Sequence, residues 1–331
     1  GIEVLSGTGR IQGAHKVEVA AADGTRTLTA ENILVATGSR PRDLPGFEYD
    51  EQRILSSTGA LMQEDLPERA LIVGSGAIGV EFAHIWNAFG VEVHVVELLD
   101  HVLPLEDAEA VQILVDSMEK RGIRFSVSTR AVRTGETGGG LEVLLESESG
   151  EQRPVEVDRM LVAVGRIPNI EGLGLEAPGI KTDRGAIVTG DYYRTTVDSV
   201  YAIGDVVGPP LLAHLASKQG ELAVEHMAGR QVEPRIDPHC VPGAVYCEPQ
   251  LGSFGYTEET AREEDIPFKK AVFPYRGAGK SVAIECPEGI VKLLTDPETD
   301  EIIGAHVAGA EATELIHELL LARTAELLPD D

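Results

Sequence analysis

The sequence predicts an α/β fold class, with a Rossmann-type unit of parallel strands and helices followed by an α+β unit. The first observation is a glycine-rich turn at residues 74–79, between an apolar run at 70–73 and a helical pattern. The second is another apolar run, residues 91–96, that ends in an acidic residue. The third is a change of pattern after Arg235, where adjacent short strands replace the strand–helix alternation.

The glycine-rich turn has the spacing Gly-x-Gly-x-x-Gly, and each glycine has its own expected role. Gly74 allows the tight turn, Gly76 lets backbone amides approach a pyrophosphate, and Gly79 lets the helix pack closely on its strand. The positive end of the helix dipole then points toward the phosphates. The residues predicted to form this phosphate-binding turn are Gly74, Ser75, Gly76, Ala77, Ile78 and Gly79.

Glu97 follows the second apolar run and lies 18 residues after Gly79. A carboxylate at this point of a Rossmann unit accepts a hydrogen bond from a ribose 2′-hydroxyl and repels a 2′-phosphate. The sequence therefore predicts an NAD site rather than an NADP site. The alternative is a chance glycine turn in an ordinary α/β protein.

Composition excludes several classes of function. The 331 residues carry a formal net charge of −27, which disfavours nucleic acids and anionic membrane surfaces as partners. No apolar stretch approaches the length of a membrane span. The three cysteines form neither a metal-ligand spacing nor Cys-x-x-Cys, and so few of them favour a reducing cytoplasm.

The residue spacing predicts neither a metal site nor a catalytic residue. His317-Glu318 begins like the zinc motif His-Glu-x-x-His, but Leu321 occupies the position of the second histidine. No Ser/His/Asp arrangement emerges either. Residues 7–13 resemble a second glycine fingerprint, but the spacing is one residue too long and a β-hairpin pattern follows it.

The other elements follow in chain order. A buried strand at 33–36 runs into Thr37-Gly38-Ser39, and prolines at 41 and 45 then indicate a passage between domains. Later elements are a helix at 107–121, strands at 124–127 and 160–164, a hairpin at 141–145 and 155–157, a strand at 200–203 and a helix at 212–227. The α+β unit has strands at 291–294 and 302–307 and helices at 258–264 and 312–326.

Asp205 lies at the carboxyl end of the strand at 200–203, where open α/β sheets bind ligands. Its carboxylate would suit ribityl or ribose hydroxyls, but a turn or N-cap aspartate fits the spacing equally well. The N-terminus of the helix that follows, near His214, could stabilise negative charge on a bound ring.

These segments resemble the flavin-dependent pyridine nucleotide–disulfide oxidoreductases along almost the whole chain. The resemblance is carried by ILVATGSRP (33–41), SSTGAL (56–61), GSGAIGVE (74–81), VVE (95–97), VGRIPN (164–169), VYAIGDV (200–206), LLAH (211–214) and ELIHE (314–318). It implies FAD and NAD as cofactors, with a Rossmann-type NAD domain inserted into an FAD domain. A C-terminal interface domain would form a homodimer. The corresponding boundaries are 1–44 and 169–235 for the FAD-domain parts, 45–168 for NAD and 236–331 for the interface.

The resemblance also implies roles for individual residues. Those matching the FAD site are Gly9, Thr37, Gly38, Ser39, Gly204, Asp205, Leu211, Leu212, Ala213 and His214. Those added to the NAD site are Val80, Glu81, Ala131 and Gly165, with Glu81 near the nicotinamide.

Within the family, LLAH and ELIHE are similar to the members that oxidise dihydrolipoyl groups. This implies a lipoyl-domain substrate and a 2-oxo acid dehydrogenase complex as partners. The family's redox Cys-x-x-x-x-Cys and first glycine fingerprint would precede residue 1, and its His-Glu pair would follow residue 331. We therefore expect an internal fragment that binds NAD(H) weakly without lipoamide turnover. The alternatives are another disulfide reductase or soluble transhydrogenase, and a non-catalytic NAD(H)-binding module.

Overall fold

The computed structural model describes all 331 residues and divides the chain into two compact units. The first contains Gly1–Arg40 and Arg166–Asp237, and the second contains Pro41–Gly165 and Pro238–Asp331. The predicted NAD and interface segments thus share the second unit, and their standing as separate domains stays a prediction. No helix combines the length and apolar character needed to cross a membrane.

The first unit begins with an antiparallel three-stranded sheet. Its strands are Thr8–Gly13, Lys16–Ala21 and Gly24–Thr29, paired in that order. The residues resembling a second glycine fingerprint thus lie mainly in a strand, which confirms that they form no strand–turn–helix phosphate loop.

The core of the first unit surrounds a parallel strand pair, in which Ile33–Val35 lies beside Val200–Ala202. Ile33, Val35 and Val200 are buried there with Ile11. The pair continues into the 3₁₀ turn Gly204–Val207 and then the helix Ala213–Met227, close to the predicted helix. The shorter elements are Ser39–Pro41, Arg166–Pro168, Thr182–Asp183, Ala186–Ile187 and the 3₁₀ turn Asp191–Tyr193.

A five-stranded parallel sheet forms one part of the second unit. Its spatial order is Ile54–Leu55, Arg159–Val162, Arg69–Val73, Glu92–Val96 and Arg124–Ser126. The helices Ala77–Ala88 and Ala108–Lys120 connect its strands, and Ser57–Leu61 is a short additional helix. Gly90 has a φ of +89° just after the helix C-cap, a conformation that favours glycine.

An antiparallel sheet in the same unit has one more strand than predicted. The predicted hairpin is present as Leu141–Ser147 and Gln152–Val157, but Thr129–Glu136 pairs with it. Most side chains of the extra strand are exposed or half-buried, so its sequence lacks a strong apolar alternation. Val143 and Leu145 pack with Leu71 and Val73 of the parallel sheet.

The C-terminal part of the second unit confirms the predicted antiparallel α+β arrangement. Its five strands occur in the spatial order Gly243–Val245, Gln250–Gly255, Ile302–Gly309, Ile290–Thr295 and Lys269–Pro274. The helices are Glu258–Glu263, Gly279–Ala283 and Ala312–Thr324, with further 3₁₀ turns at Pro238–Cys240 and Tyr275–Gly277.

A buried lysine joins this antiparallel sheet to the helix Ala108–Lys120. Lys292 is only 1% exposed, and its Nζ lies 2.8 Å from Oδ1 of Asp107 and 2.5 Å from Oε1 of Glu258. Asp107 also caps its helix by accepting hydrogen bonds from two backbone N–H groups. Burial opposes the ionisation of Asp107, but His306 and Lys292 hold its pKa below the ordinary value.

Candidate functional site

The three glycines of the turn at 74–79 have distinct surroundings. Gly74 has a φ of +101°, and a Cβ there would lie 2.4 Å from the carbonyl oxygen of Ala163. A Cβ on Gly79 would lie 2.0 Å from the carbonyl oxygen of Gly74, which confirms the close approach of helix and strand. A Cβ on Gly76 would meet no atom within 4 Å, so this glycine borders open space. That space lies where a phosphate would approach the backbone.

The helix Ala77–Ala88 begins at this turn with Gly76 as its N-cap, and no side chain caps it. Its first backbone N–H groups therefore depend on another acceptor, which a bound anion can supply. Ala77 is exposed and Ile78 is half-buried. Val80 has no exposed surface and donates its N–H to the carbonyl of Gly76, and its contact with NAD stays a prediction.

Glu97 lies beside the turn because its strand is the parallel neighbour of the strand that ends at Val73. The N–H of Ser75 donates to Oε2 of Glu97 at 2.8 Å, and the Ser75 hydroxyl donates to the same oxygen at 2.9 Å. The N–H of Leu99 donates to Oε1 at 2.9 Å. These three bonds hold the carboxylate of Glu97 in one orientation next to the turn.

Glu81 is half-buried one turn into the helix, and its Oε1 accepts a hydrogen bond of 2.9 Å from the N–H of Tyr246. Burial raises the pKa of Glu81, although the Tyr246 N–H opposes that shift. The neighbouring Cys247 is 5% exposed, and burial followed by the charge of Glu81 raises its thiol pKa to about 12. This cysteine is therefore a protonated core residue.

Gly165 and Ala131, the two remaining predicted NAD contacts, differ in position. Gly165 lies just beyond the strand that pairs with Arg69–Val73, has a φ of +108° and is exposed. Ala131 lies on the strand Thr129–Glu136, half-buried against the core of the antiparallel sheet. The strand termini thus bring Gly165 to the edge where the turn lies, while Ala131 stays a prediction.

In the first unit, Ser39 and Asp205 are brought together across 166 positions of sequence. The Ser39 hydroxyl donates to Oδ2 of Asp205 at 2.5 Å. Nε of Arg166 donates to the same hydroxyl at 2.7 Å and lies 3.8 Å from Oδ2 of Asp205. All three side chains are partly exposed, so this polar cluster is accessible to a ligand.

Thr37 and Gly38 are held by Asn169. The Thr37 hydroxyl donates to the carbonyl of Asn169 at 2.7 Å, and the Asn169 side-chain amide donates to the carbonyl of Thr37 at 3.0 Å. The Asn169 N–H donates to the carbonyl of Gly38, whose φ of +67° favours glycine. These bonds fix the path of the chain immediately after the strand Ile33–Val35.

Gly204 introduces the turn that carries Asp205. Its φ is +70°, and its N–H donates to Oε1 of the buried Gln219 at 2.7 Å. Since Gln219 belongs to the helix Ala213–Met227, this bond positions the carboxylate of Asp205 relative to that helix.

The predicted helix start near His214 is present, with Leu212 as the N-cap and no side-chain cap. Leu211 and Leu212 are half-buried, whereas Ala213 and His214 are exposed. Gly9 is exposed in the first antiparallel sheet, opposite Val19. A Cβ on Gly9 would have only a 3.9 Å contact, so packing does not require glycine there, and its role stays a prediction.

Three residues of the Ser39–Asp205 region were not among the predicted site residues. They are Arg166, Asn169 and Gln219. The first two lie in the segment VGRIPN, which could have identified them as polar groups following a buried strand. Gln219 has no such signal, because only the fold brings it to Gly204.

Comparison with protein families gives two matches. Residues 1–220 match the pyridine nucleotide-disulphide oxidoreductase family, and residues 241–331 match its dimerisation domain.

Individual relatives agree with this assignment. A dihydrolipoyl dehydrogenase from Rhizobium etli is 42% identical over 308 residues, which cover 93% of this chain and 64% of the relative. One from Corynebacterium glutamicum is 39% identical, covering 99% of this chain and 71% of the relative. The crystal structure of LpdA from Mycobacterium tuberculosis superimposes with a TM-score of 0.86 at 34% identity, covering 98% of this chain and 69% of that one. The chain spans somewhat less than two thirds of the Rhizobium relative, and it belongs to the pyridine nucleotide-disulphide oxidoreductase family.

Proposed function

We propose that this chain is part of a dihydrolipoyl dehydrogenase, a flavoprotein that oxidises dihydrolipoyl groups and reduces NAD. The observation that carries the nucleotide part is the contact between Ser75 and Glu97 beside an open glycine turn. The choice of substrate is supported by the two dihydrolipoyl dehydrogenases that are similar to this chain.

The residues at the turn fit NAD. The open space at Gly76 and the uncapped start of the helix suit a pyrophosphate, because backbone N–H groups there require an acceptor. The carboxylate of Glu97 would accept from a ribose hydroxyl and would repel the extra phosphate of NADP. Glu81 would lie near the nicotinamide, held through the Tyr246 N–H.

The residues of the first unit fit part of an FAD site. Asp205 is already bonded by Ser39, so its carboxylate is oriented before a ligand arrives. It would accept hydrogen bonds from ribityl hydroxyls, and the helix start at Ala213 would stabilise negative charge on a flavin ring. Thr37, Gly38 and Ser39 would line the same site. When bound, FAD supplies the group that takes electrons from a dithiol and delivers a hydride to NAD.

The partners follow from the same proposal. The match of residues 241–331 to a dimerisation domain supports a homodimer. The lipoyl domain of a 2-oxo acid dehydrogenase complex would present the dithiol. A reducing, cytoplasmic location accords with three cysteines that form no disulfide.

The test is a substrate comparison on the purified natural protein that contains this chain. We expect NAD reduction that depends on dihydrolipoamide, with NADP at least tenfold poorer by kcat/KM. Reduction of glutathione disulfide without dihydrolipoamide oxidation would instead favour another disulfide reductase. Hydride transfer between nicotinamide nucleotides without dihydrolipoamide oxidation would favour a transhydrogenase. NADH binding without bound flavin or dithiol oxidation would favour a non-catalytic module.

A further inference from the structure

A pocket of about 410 Å³ lies in the second unit, outside the glycine turn. It is lined by the edge strand Arg124–Ser126, by Arg153 and Pro154 of the neighbouring antiparallel sheet, and by His94. Its volume falls in the range of small-molecule sites. None of the residues proposed above to bind NAD or FAD lines it.

A polar chain of three side chains forms one wall of this pocket. Nη2 of Arg153 donates to the Ser126 hydroxyl oxygen at 2.7 Å, and the same oxygen lies 2.9 Å from Nε2 of His94. His94 is 4% exposed, and its Nδ1 is buried without a hydrogen-bond partner. A buried histidine bonded at one nitrogen only is unusual in a core, where polar atoms normally have partners.

The charge of the pocket differs from that of the chain. The lining contains the guanidinium groups of Arg124 and Arg153 and one carboxylate, that of Glu119. Arg124 also pairs with Glu92 at 2.7 Å, but both side chains are more than half exposed, so this pair is weak and exchangeable. Burial, and then the charges of Arg153 and Arg124, lower the pKa of His94 to about 4. The lining thus contains more cationic than anionic residues, although the chain has a net charge of −27.

We propose that this pocket binds a small oxyanion of the phosphate type, free or carried on a metabolite. Arg124, Arg153 and Ser126 present hydrogen-bond donors from two strands, which suits a group with oxygen acceptors in several directions. Guanidinium–phosphate bonds are charge-assisted and are the strongest contacts available in such a site. His94 lines the pocket as well and is bonded to Ser126, so its resonance reports on the site.

The experiment follows the histidine Cε1–H resonances of the protein during titration with inorganic phosphate at neutral pH and constant ionic strength. The His94 resonance is identified by its absence in His94→Gln. We expect it to shift saturably with phosphate. Arg153→Gln should weaken the apparent affinity at least tenfold, whereas Arg276→Gln, an exposed arginine outside the pocket, should leave it unchanged. If Arg153→Gln does not fold, Arg124→Gln is expected to give the same loss.

Phosphate binding at the glycine turn is distinguished by Gly76→Ala, which should leave the His94 response intact. A His94 resonance that does not respond, or that changes linearly without saturation, overturns the proposal. Equal affinity in the wild type and in the folded Arg153→Gln variant overturns it as well. An ester such as glycerol phosphate then separates the two sources, because tighter binding than inorganic phosphate indicates a metabolite.

Discussion

Ser75 donates both its backbone N–H and its hydroxyl to Oε2 of Glu97, at 2.8 and 2.9 Å. The carboxylate therefore shapes the glycine turn, and in the proposed function it also accepts a hydrogen bond from a ribose hydroxyl. In Glu97→Gln, one of the two side-chain oxygens becomes an NH₂ group, so either Ser75 or Leu99 loses its acceptor. We expect the Kd for NADH to rise at least tenfold, about 1.4 kcal/mol, by calorimetry. Glu64→Gln, an exposed change in the same unit, is the control. An unchanged Kd would contradict the assignment of Glu97.

Replacement of Gly76 and of Gly79 by alanine should affect different properties, NADH affinity in the first case and stability in the second. Gly76→Ala places a methyl in open space, so thermal stability should stay the same while NADH affinity falls at least tenfold. Gly79→Ala forces a Cβ against the Gly74 carbonyl, which should cost about 1–3 kcal/mol of unfolding free energy. Gly139→Ala, in an open loop, should change neither quantity. If the Gly76→Ala protein is stable and binds NADH with wild-type affinity, the assignment of a phosphate site to this turn is wrong.

Asp205→Asn tests the flavin part of the proposed function. The amide could still accept from Ser39, but it would lose the negative charge that Arg166 and ribityl hydroxyls favour. We expect the flavin content of the purified natural protein to fall several-fold, measured by absorbance per polypeptide. Asp183→Asn, exposed in the same unit, should retain full flavin content. Equal flavin content in both variants would show that Asp205 only stabilises its turn and does not bind flavin.

His94 should make the protein sensitive to mild acid. Burial holds its pKa near 4 in the folded state, against 6.5 as the ordinary value, so only the unfolded chain takes up this proton between those pH values. Stability from this residue is thus intact above pH 6.5 and is lost as pH falls toward 4, by up to about 3 kcal/mol.

The measurement is the unfolding free energy of wild type and His94→Gln from pH 6.5 to 4.5. The wild type should lose its advantage progressively, whereas exposed His317→Gln should run parallel to the wild type. Parallel curves for His94→Gln and the wild type would show that His94 titrates alike in both states.

Lys292→Met should destabilise the second unit strongly. It leaves the carboxylates of Asp107 and Glu258 buried without their shared cation, a loss of about 3–5 kcal/mol. Lys269→Met removes only an exposed pair with Asp300 and should cost less than about 1 kcal/mol. Denaturant unfolding of both variants measures the difference. Similar costs would indicate that Lys270, which also contacts Glu258, compensates.

The sequence was sufficient where local pattern determines structure. The helix predicted at residues 107–121 is ended by Gly122 in the sequence, and the observed helix Ala108–Lys120 agrees. The strand Thr129–Glu136 was missed because tertiary pairing rather than apolar alternation stabilises it.

The same limit applies to the candidate site. The glycine turn can be recognised from the sequence because its role depends on residues only a few positions apart in the chain. The bonds from Arg166 to Ser39 and from Lys292 to Asp107 join residues 127 and 185 positions apart. Such contacts depend on long-range folding that no spacing rule describes.

Lys292 also constrains how this protein can be recombined with its relatives. A replacement for residues 238–331 would have to supply a lysine at position 292, because Asp107 and Glu109 are paired with that cation. A chimaera would therefore need to inherit both sides of this contact from one parent, or to exchange lysine and carboxylates together. Residues 41–165 and 238–331 therefore have to be exchanged together, although they are separate in the sequence.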